Sequence, residues 1–413
     1  MNQGERNPHS AAHFSRYAFR PTTALALLDP GTNDYAGLAI WMEAHYQDPA
    51  VFRRAEDGGE LSRYTQLTPA FVVLVVVPIL IFLMLHGSVA AEREDGTLRQ
   101  LLATGVSARA FFAGKFAAGA KLVLLTYTAV FFPVVLACVG LAPGEISGDT
   151  VLRIVLLYIT YALYFVSCIA IAVGVSAMFR TRQSAFLALV SVWVLMIILV
   201  PRFGNDISTR VYPQPDAREA SARLSAASNA YYLDKERMKD IETEVLARYG
   251  VATIDELPIN YGAYVLQVSE ELSEPEFDRF YEGLSANYAA QDSVVRTFSI
   301  FTPTIAATNL SRKLAGTDRS HQQSFANAAE AHRREMIQLL NEDYMYNAGD
   351  AGATYKGDAE LWAEFEDLDY AAPPIGSFSL WTDSALLLLW CFGSTWAAYF
   401  LVGRAVKSEV FAS

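Results

Sequence analysis

The strongest constraint on this chain is a set of apolar runs too long and too empty of charge for a soluble core. Ala70 to Ala91 is almost uncharged and long enough to cross a bilayer; so is Phe116 to Leu141 apart from Lys121. Val151 to Phe179, Ser184 to Val200 and Leu380 to Val402 repeat the pattern, so about five spans are visible. Apolar residues make up 53% of the chain and are clumped into these runs. The fold class expected is an all-α polytopic membrane protein.

Between the first two runs lies AEREDGTLRQLLATGVSARAFFAGKFAAGAK, Ala91 to Lys121. Glu92-Arg93-Glu94-Asp95 is a charged turn, and Gly96-Thr97 is a break. Gly96 can supply a backbone conformation that a side chain would penalise, with Thr97 expected to cap the helix that follows. Leu98, Leu101 and Leu102 can share one face of that short helix. Gly105 is placed to end it in a left-handed conformation, and Ser107 to cap the next helix. The basic loop Arg180 to Arg182 and the basic tail Arg404 to Lys407 belong on the cytoplasmic side. Counting spans then puts residues 91–115 on that side, and the N-terminal segment, the turn at Pro143 and residues 202–377 outside.

The string E-R-E-D-G-T-L-R-Q-L-L, followed by Gly114-Lys115 at the opening of the next run, resembles the cytoplasmic loop of type-2 ABC transporter permeases. In that family the loop forms a coupling helix that docks on the ATPase subunit. The resemblance implies a type-2 ABC exporter-like transmembrane domain, with coupling residues Glu92, Glu94, Gly96, Thr97, Leu98, Arg99, Leu101, Leu102, Gly114 and Lys115. The glutamates either pair with basic residues of the ATPase or brace neighbouring helices; the sequence does not choose. The implied partners are an ABC ATPase, which binds the ATP and Mg, a second permease subunit (the same or a different chain), and the lipid of a bacterial inner membrane. AAHFSRYAFRP, LLDPG and WMEAH near the N-terminus, and SRKLAGTDRSHQQSFANAAEAHRREM later, resemble outer segments of a subgroup with a large insertion before the last span. In that subgroup a span precedes the first of these segments, so the chain is expected to begin one span late.

The domain plan that follows is an extracytoplasmic segment over 1–67, a transmembrane bundle over 68–201, a mostly helical extracytoplasmic domain over 202–377, and a last span with its tail over 378–413. The net charge of −12 is carried almost wholly by 202–377. An acidic surface excludes nucleic acid as a partner and leaves an extracytoplasmic protein open. All three cysteines lie in apolar runs, so the outer region is expected to hold together by helix packing alone. Within it, residues 217–249 read as one helix-forming stretch stopped at Gly250. Thr253 to Glu256 reads as a capping box. Phe325, Ala328, Ala329, His332, Met336, Leu339 and Leu340 read as a core stripe. Tyr158, Tyr161 and Tyr164 either line a path or pack; packing is favoured.

No P-loop, HExxH, GxSxG or kinase motif occurs, so no catalytic residue is assigned and no cofactor is expected in this chain. His9 and His13 are spaced i, i+4, and His45 follows. A metal site is one reading of them, but surface and hydrogen-bonding roles are favoured and no metal ligand is assigned. Asp318 is read as a cap, and His321 and His332 as helix-face residues. Three functions fit: an ABC permease subunit, most simply an exporter; an ATP-driven mechanotransmission complex acting on an outer partner without transport; or an ATPase-independent anchor or receptor.

Overall fold

The structure, a computed structural model, describes residues 6–13, 16–47, 67–142, 146–229, 235–364 and 366–410. Five of its helices are long and apolar enough to cross a membrane: Pro69–Glu94, Ala108–Leu141, Gly148–Met178, Arg182–Val211 and Trp381–Val410, the first to fifth spans. Each contains one of the apolar runs. Among the described residues the chain is helical apart from one antiparallel pair of strands, Arg16–Phe19 and Ala39–Met42, with Arg16 opposite Met42. The turn expected at Pro143-Gly144 lies outside the described residues.

The third span is the axis of the bundle. Tyr161, Tyr164, Phe165, Cys168 and Val173 on it are almost wholly buried. Gly174 brings it against the fifth span: a Cβ there would stand 3.2 Å from Cα of Ala398. The tyrosines pack, as favoured. The Tyr164 hydroxyl donates to the Leu74 carbonyl at 3.0 Å. That carbonyl needs the donor because Pro78, four residues on, has no N–H. A π-turn over Val72–Val76 takes up the proline ring just upstream. The fourth span repeats the device, with a π-turn over Leu195–Leu199 before Pro201 and Thr302 Oγ1 donating to the Met196 carbonyl at 3.0 Å. Cys138, Cys168 and Cys391 are free and buried.

The outer region does not close on itself. Its helix Pro303–Ala315 packs among the third and fifth spans, and Ala306, Ala307, Leu310 and Leu314 belong to the same core as the spans. Asp318 caps helix Arg319–Asn347, on which Phe325, Ala329, Met336 and Leu340 are buried and Ala328, His332 and Leu339 half-buried. The stripe is a core, but Ala12, Ala18, Ile40, Met42 and Ala44 of the N-terminal segment cover it. A helix with one apolar face needs a second surface to bury it. Here that surface comes from residues nearly the whole chain away. The described residues of the N-terminal segment therefore share a core with helix Arg319–Asn347 of the insertion.

A third cluster joins Ile241 and Val245 to Ala263 and Tyr264 of the long helix Tyr261–Thr297. Gly250 has φ +69°, as its stop signal requires, and the Glu256 carboxylate accepts from Thr253 N at 3.3 Å in the capping box. Helices Ala217–Asn229 and Lys235–Tyr249 flank residues 230–234, so the expected continuity of 217–249 falls on residues outside those described.

Candidate coupling site

The charged loop of the sequence folds as two short helices, Ala90–Glu94 at the end of the first span and Thr97–Ala103 between it and the second. Gly96 joins them with φ +74°. A Cβ built there would meet nothing within 4 Å, so the glycine is required by backbone conformation and not by crowding. Gly96 occupies the capping position itself, which corrects the expectation for Thr97. The Thr97 hydroxyl instead donates to the Glu92 carboxylate. Gly105 has φ +91° and ends the second helix, and Ser107 Oγ accepts from Ala110 N at 3.2 Å to start the second span; both were legible.

The apolar face of Thr97–Ala103 points into the bundle. Leu98 is fully buried, and Leu101 and Leu102 pack half-buried against the same core. This selects the adjoining spans over a partner as their neighbour. The exposed residues of the loop before the second span are Glu94, Asp95, Arg99, Gln100, Ala103, Thr104, Gly105 and Ser107.

Polar contacts tie the loop to each of the other spans. Glu92 accepts from Lys115 Nζ of the second span at 2.5 Å. Ser176 Oγ of the third span accepts from Val89 N and Ala90 N, each at 3.0 Å, and donates to the His86 carbonyl at 2.6 Å. Glu94 accepts from the backbone N–H of Arg182 at 2.8 Å, and the Arg182 guanidinium pairs with Asp95 at the head of the fourth span. Arg93 donates to the carbonyls of Ala177 at 3.0 Å and Phe179 at 3.1 Å. Its Nε meets Glu409 Oε1 of the fifth span at 3.2 Å, and Arg99 Nε meets Oε2 of the same carboxylate at 3.1 Å. The Arg93 and Glu409 side chains are 7% and 8% exposed, so this pair is buried. The loop glutamates thus brace neighbouring helices.

Ser176 and Glu409 were not singled out from the sequence, and Arg93 only as a member of the charged turn. A serine inside a span and an acidic residue in a basic tail carry no local signal; only the meeting of the spans selects them. Gly114 lies inside the second span with open space around it, and nothing in the structure explains a glycine there.

At the opposite end of the bundle, buried charges join the spans to the outer body. Arg153 of the third span is buried and pairs with Asp149 at 2.5 Å. It donates to the carbonyls of Lys313 at 3.2 Å, where helix Pro303–Ala315 ends, and of Pro373 at 3.1 Å. Asp383 of the fifth span is fully buried and receives Lys313 Nζ at 2.8 Å and Asn309 Nδ2 at 3.0 Å. Asp318 caps as expected and accepts from the His321 ring. Burial alone would raise the Asp318 carboxyl, but the contacts with His321 outweigh it and hold it below the ordinary range. His332 stands apart, with Nε2 at 3.2 Å from the Glu366 carbonyl.

His9, His13 and His45, read as surface or hydrogen-bonding residues, stand together in the structure. Their rings converge at the N-terminal side of the outer body, with His9 Nε2 and His13 Nε2 3.3 Å apart. Burial, with the two neighbouring imidazoles, lowers His9 to about 4.

Residues 45–211 match the family model described as ABC-2 family transporter protein, and residues 217–371 match a domain of unknown function, DUF3526. Comparison with curated proteins and with solved structures finds no match. The first match takes in the first four spans and the loop between the first two, and the second takes in most of the insertion before the last span. The chain thus carries an ABC-2 family transporter domain over its first four spans, with a DUF3526 domain set between its fourth and fifth spans.

Proposed function

We propose that this permease is the membrane subunit of an ABC exporter, and that residues 91–115 receive the closing motion of a separate ATPase subunit and pass it to the spans. The observation that carries this reading is the wiring of the loop: helix Thr97–Ala103 holds Glu409 through Arg99, and the short helix Ala90–Glu94, joined to it at Gly96, holds Lys115, Ser176 and Arg182, four residues on four different spans. Packed, hydrogen-bonded elements shift as units, which is what a coupling element needs. Gln100, Ala103 and Thr104 form the exposed face left for the ATPase, since the leucines are turned inward. ATP and Mg belong to that partner, and two permease subunits, alike or different, complete the assembly. The basic loop and tail support a cytoplasmic coupling loop and C-terminus, with the DUF3526 domain on the other side of a bacterial inner membrane.

Mechanotransmission without transport is the second reading. The Arg153 and Asp383 contacts favour it, because they fasten the outer body to the third and fifth spans and give it a share in any movement of the bundle.

The test is ATP turnover of the co-purified complex at matched expression. Gly96→Pro and Glu94→Lys leave the apolar runs untouched, so both variants insert in the membrane. Each is expected to lose stimulated turnover and function together. Unchanged turnover and full function in both would remove the coupling assignment. Reconstituted vesicles then separate the two readings: substrate accumulation supports export, and stimulated turnover with no solute movement supports mechanotransmission.

A further inference from the structure

We propose that His9, His13 and His45 bind a divalent first-row transition ion of the zinc type on the outer body, through three imidazole nitrogens and a solvent molecule. The sequence supplies half of the arrangement. Helix Pro8–Ala12, capped by Asn7, places His9 and His13 one turn apart on a single face. The fold supplies the rest by carrying His45 to them on the segment that leaves the hairpin.

The three ring centroids are 4.8, 5.5 and 4.9 Å apart, and one nitrogen from each ring lies within 4.8 Å of the others. Two nitrogens at tetrahedral positions around zinc, each 2.0–2.1 Å from it, stand about 3.3 Å apart. His9 Nε2 and His13 Nε2 are already at that separation, 3.3 Å. The pairs involving His45 have to close by at most about 1.5 Å, within reach of rotation about the side-chain bonds of the half-buried His9 and His45 and the exposed His13.

The surroundings are those of a supported ligand set. His45 Nδ1 lies 3.3 Å from Oε1 of Glu270, a buried carboxylate on helix Tyr261–Thr297. The two atoms are not in hydrogen-bond geometry here; a turn of the imidazole that forms the bond would fix its tautomer and direct the other nitrogen to the metal. The strand exit that carries His45 is held by Arg333, buried on helix Arg319–Asn347, which donates to the carbonyls of Ala44 at 2.7 Å and Glu43 at 3.2 Å. Glu330 in turn holds Arg333, at 2.8 Å. A bound ion would therefore tie the N-terminal helix to the hairpin exit, and through Glu270 and Arg333 to both long helices of the insertion. Three neutral imidazoles select a borderline ion such as zinc or copper(II) over magnesium or calcium, which prefer oxygen.

The test uses the full-length protein in detergent, purified through a tag that contains no histidine, with Zn2+ as the probe. After equilibration and dialysis, about one zinc per chain is expected by elemental analysis. His13→Ala and His45→Gln should each weaken binding at least about tenfold. Glu270→Gln should weaken it by about 10–100-fold, as losses behind a ligand do. Zinc should raise the melting temperature of the wild type and not of His13→Ala. His13 is exposed, so its variant is expected to melt like the metal-free wild type and to report on ligation alone. A measurement that needs no variant is the Co2+ spectrum of the wild type, where intense visible bands are expected of a four-coordinate ion. No stoichiometric zinc in the wild type, binding by His13→Ala and His45→Gln within about twofold of it, or only the weak bands of octahedral cobalt would each overturn the proposal.

Discussion

Glu409 holds a position that no neighbour in the sequence explains. It lies among the cationic residues of the tail and accepts from Arg93 and Arg99, one in each short helix of the loop proposed to couple. Taking away one partner of a buried ion pair costs about 3–5 kcal/mol, because the other charge is left without compensation. Arg93 keeps its bonds to Ala177 and Phe179, so Glu409→Ala should fall at the low end of that range. The check is unfolding of the purified permease in detergent. Glu409→Gln keeps the shape and one acceptor oxygen while removing the charge. It should destabilise less, yet still lower stimulated ATP turnover, because a single acceptor cannot hold both arginines. Equal turnover in wild type and Glu409→Gln would detach the fifth span from the coupling path.

At the scale of elements, the third span sets the spacing of the bundle through its small and its hydroxyl-bearing residues. Tyr164→Phe removes the donor to the Leu74 carbonyl, which Pro78 leaves without its helical partner. Interhelical bonds in membrane bundles average about 0.6 kcal/mol. This one should exceed that, at about 1–2 kcal/mol, because an acceptor is orphaned in an apolar setting. A smaller loss of stability in detergent would mean that the π-turn satisfies the carbonyl by itself. Gly174→Leu puts a branched side chain where the fifth span has its Ala398 backbone at 3.2 Å from an added Cβ. The fifth span must move away, and overpacking of this kind typically costs about 1–3 kcal/mol. A cysteine cross-link between the third and fifth spans, formed readily in an otherwise wild-type background, should be lost in Gly174→Leu.

At the scale of the molecule, the outer body and the bundle are not independent. Phe325 is fully buried under residues from the N-terminal segment. Phe325→Ala should cost about 3–5 kcal/mol, read as a lower midpoint of unfolding. Residues 202–377 expressed alone lose the cover of Ala12, Ala18, Ile40 and Met42, and also lose the spans around Ala306 and Leu310. That fragment should be helical by circular dichroism but should aggregate or bind a hydrophobic dye. Adding residues 6–47 restores one of the two missing surfaces and should reduce dye binding without abolishing it. A monomeric, cooperatively melting 202–377 would show that the stripe finds cover within the insertion.

The sequence by itself determined what local chemistry determines. Apolar length marked the five spans, because a backbone in lipid has to bond to itself. Gly96, Gly105 and Gly250 marked their stops, because a positive φ is cheap only for glycine. Ser107 and Asp318 marked their caps through the same short-range reach of a side-chain oxygen to a nearby N–H. The period of the Phe325 helix marked a buried face, but periodicity says that a face is covered and not by what. Tertiary structure decided the cover, placing the N-terminal hairpin on that stripe and sinking helix Pro303–Ala315 among the spans. It also decided that Leu98 faces the bundle, that Glu409 gathers two arginines, and that His45 joins His9 and His13. Each of these meetings closes a loop of tens to hundreds of residues. The partners carry no shared local pattern along the chain, so their pairing follows from the packing of helices and not from the spacing of residues.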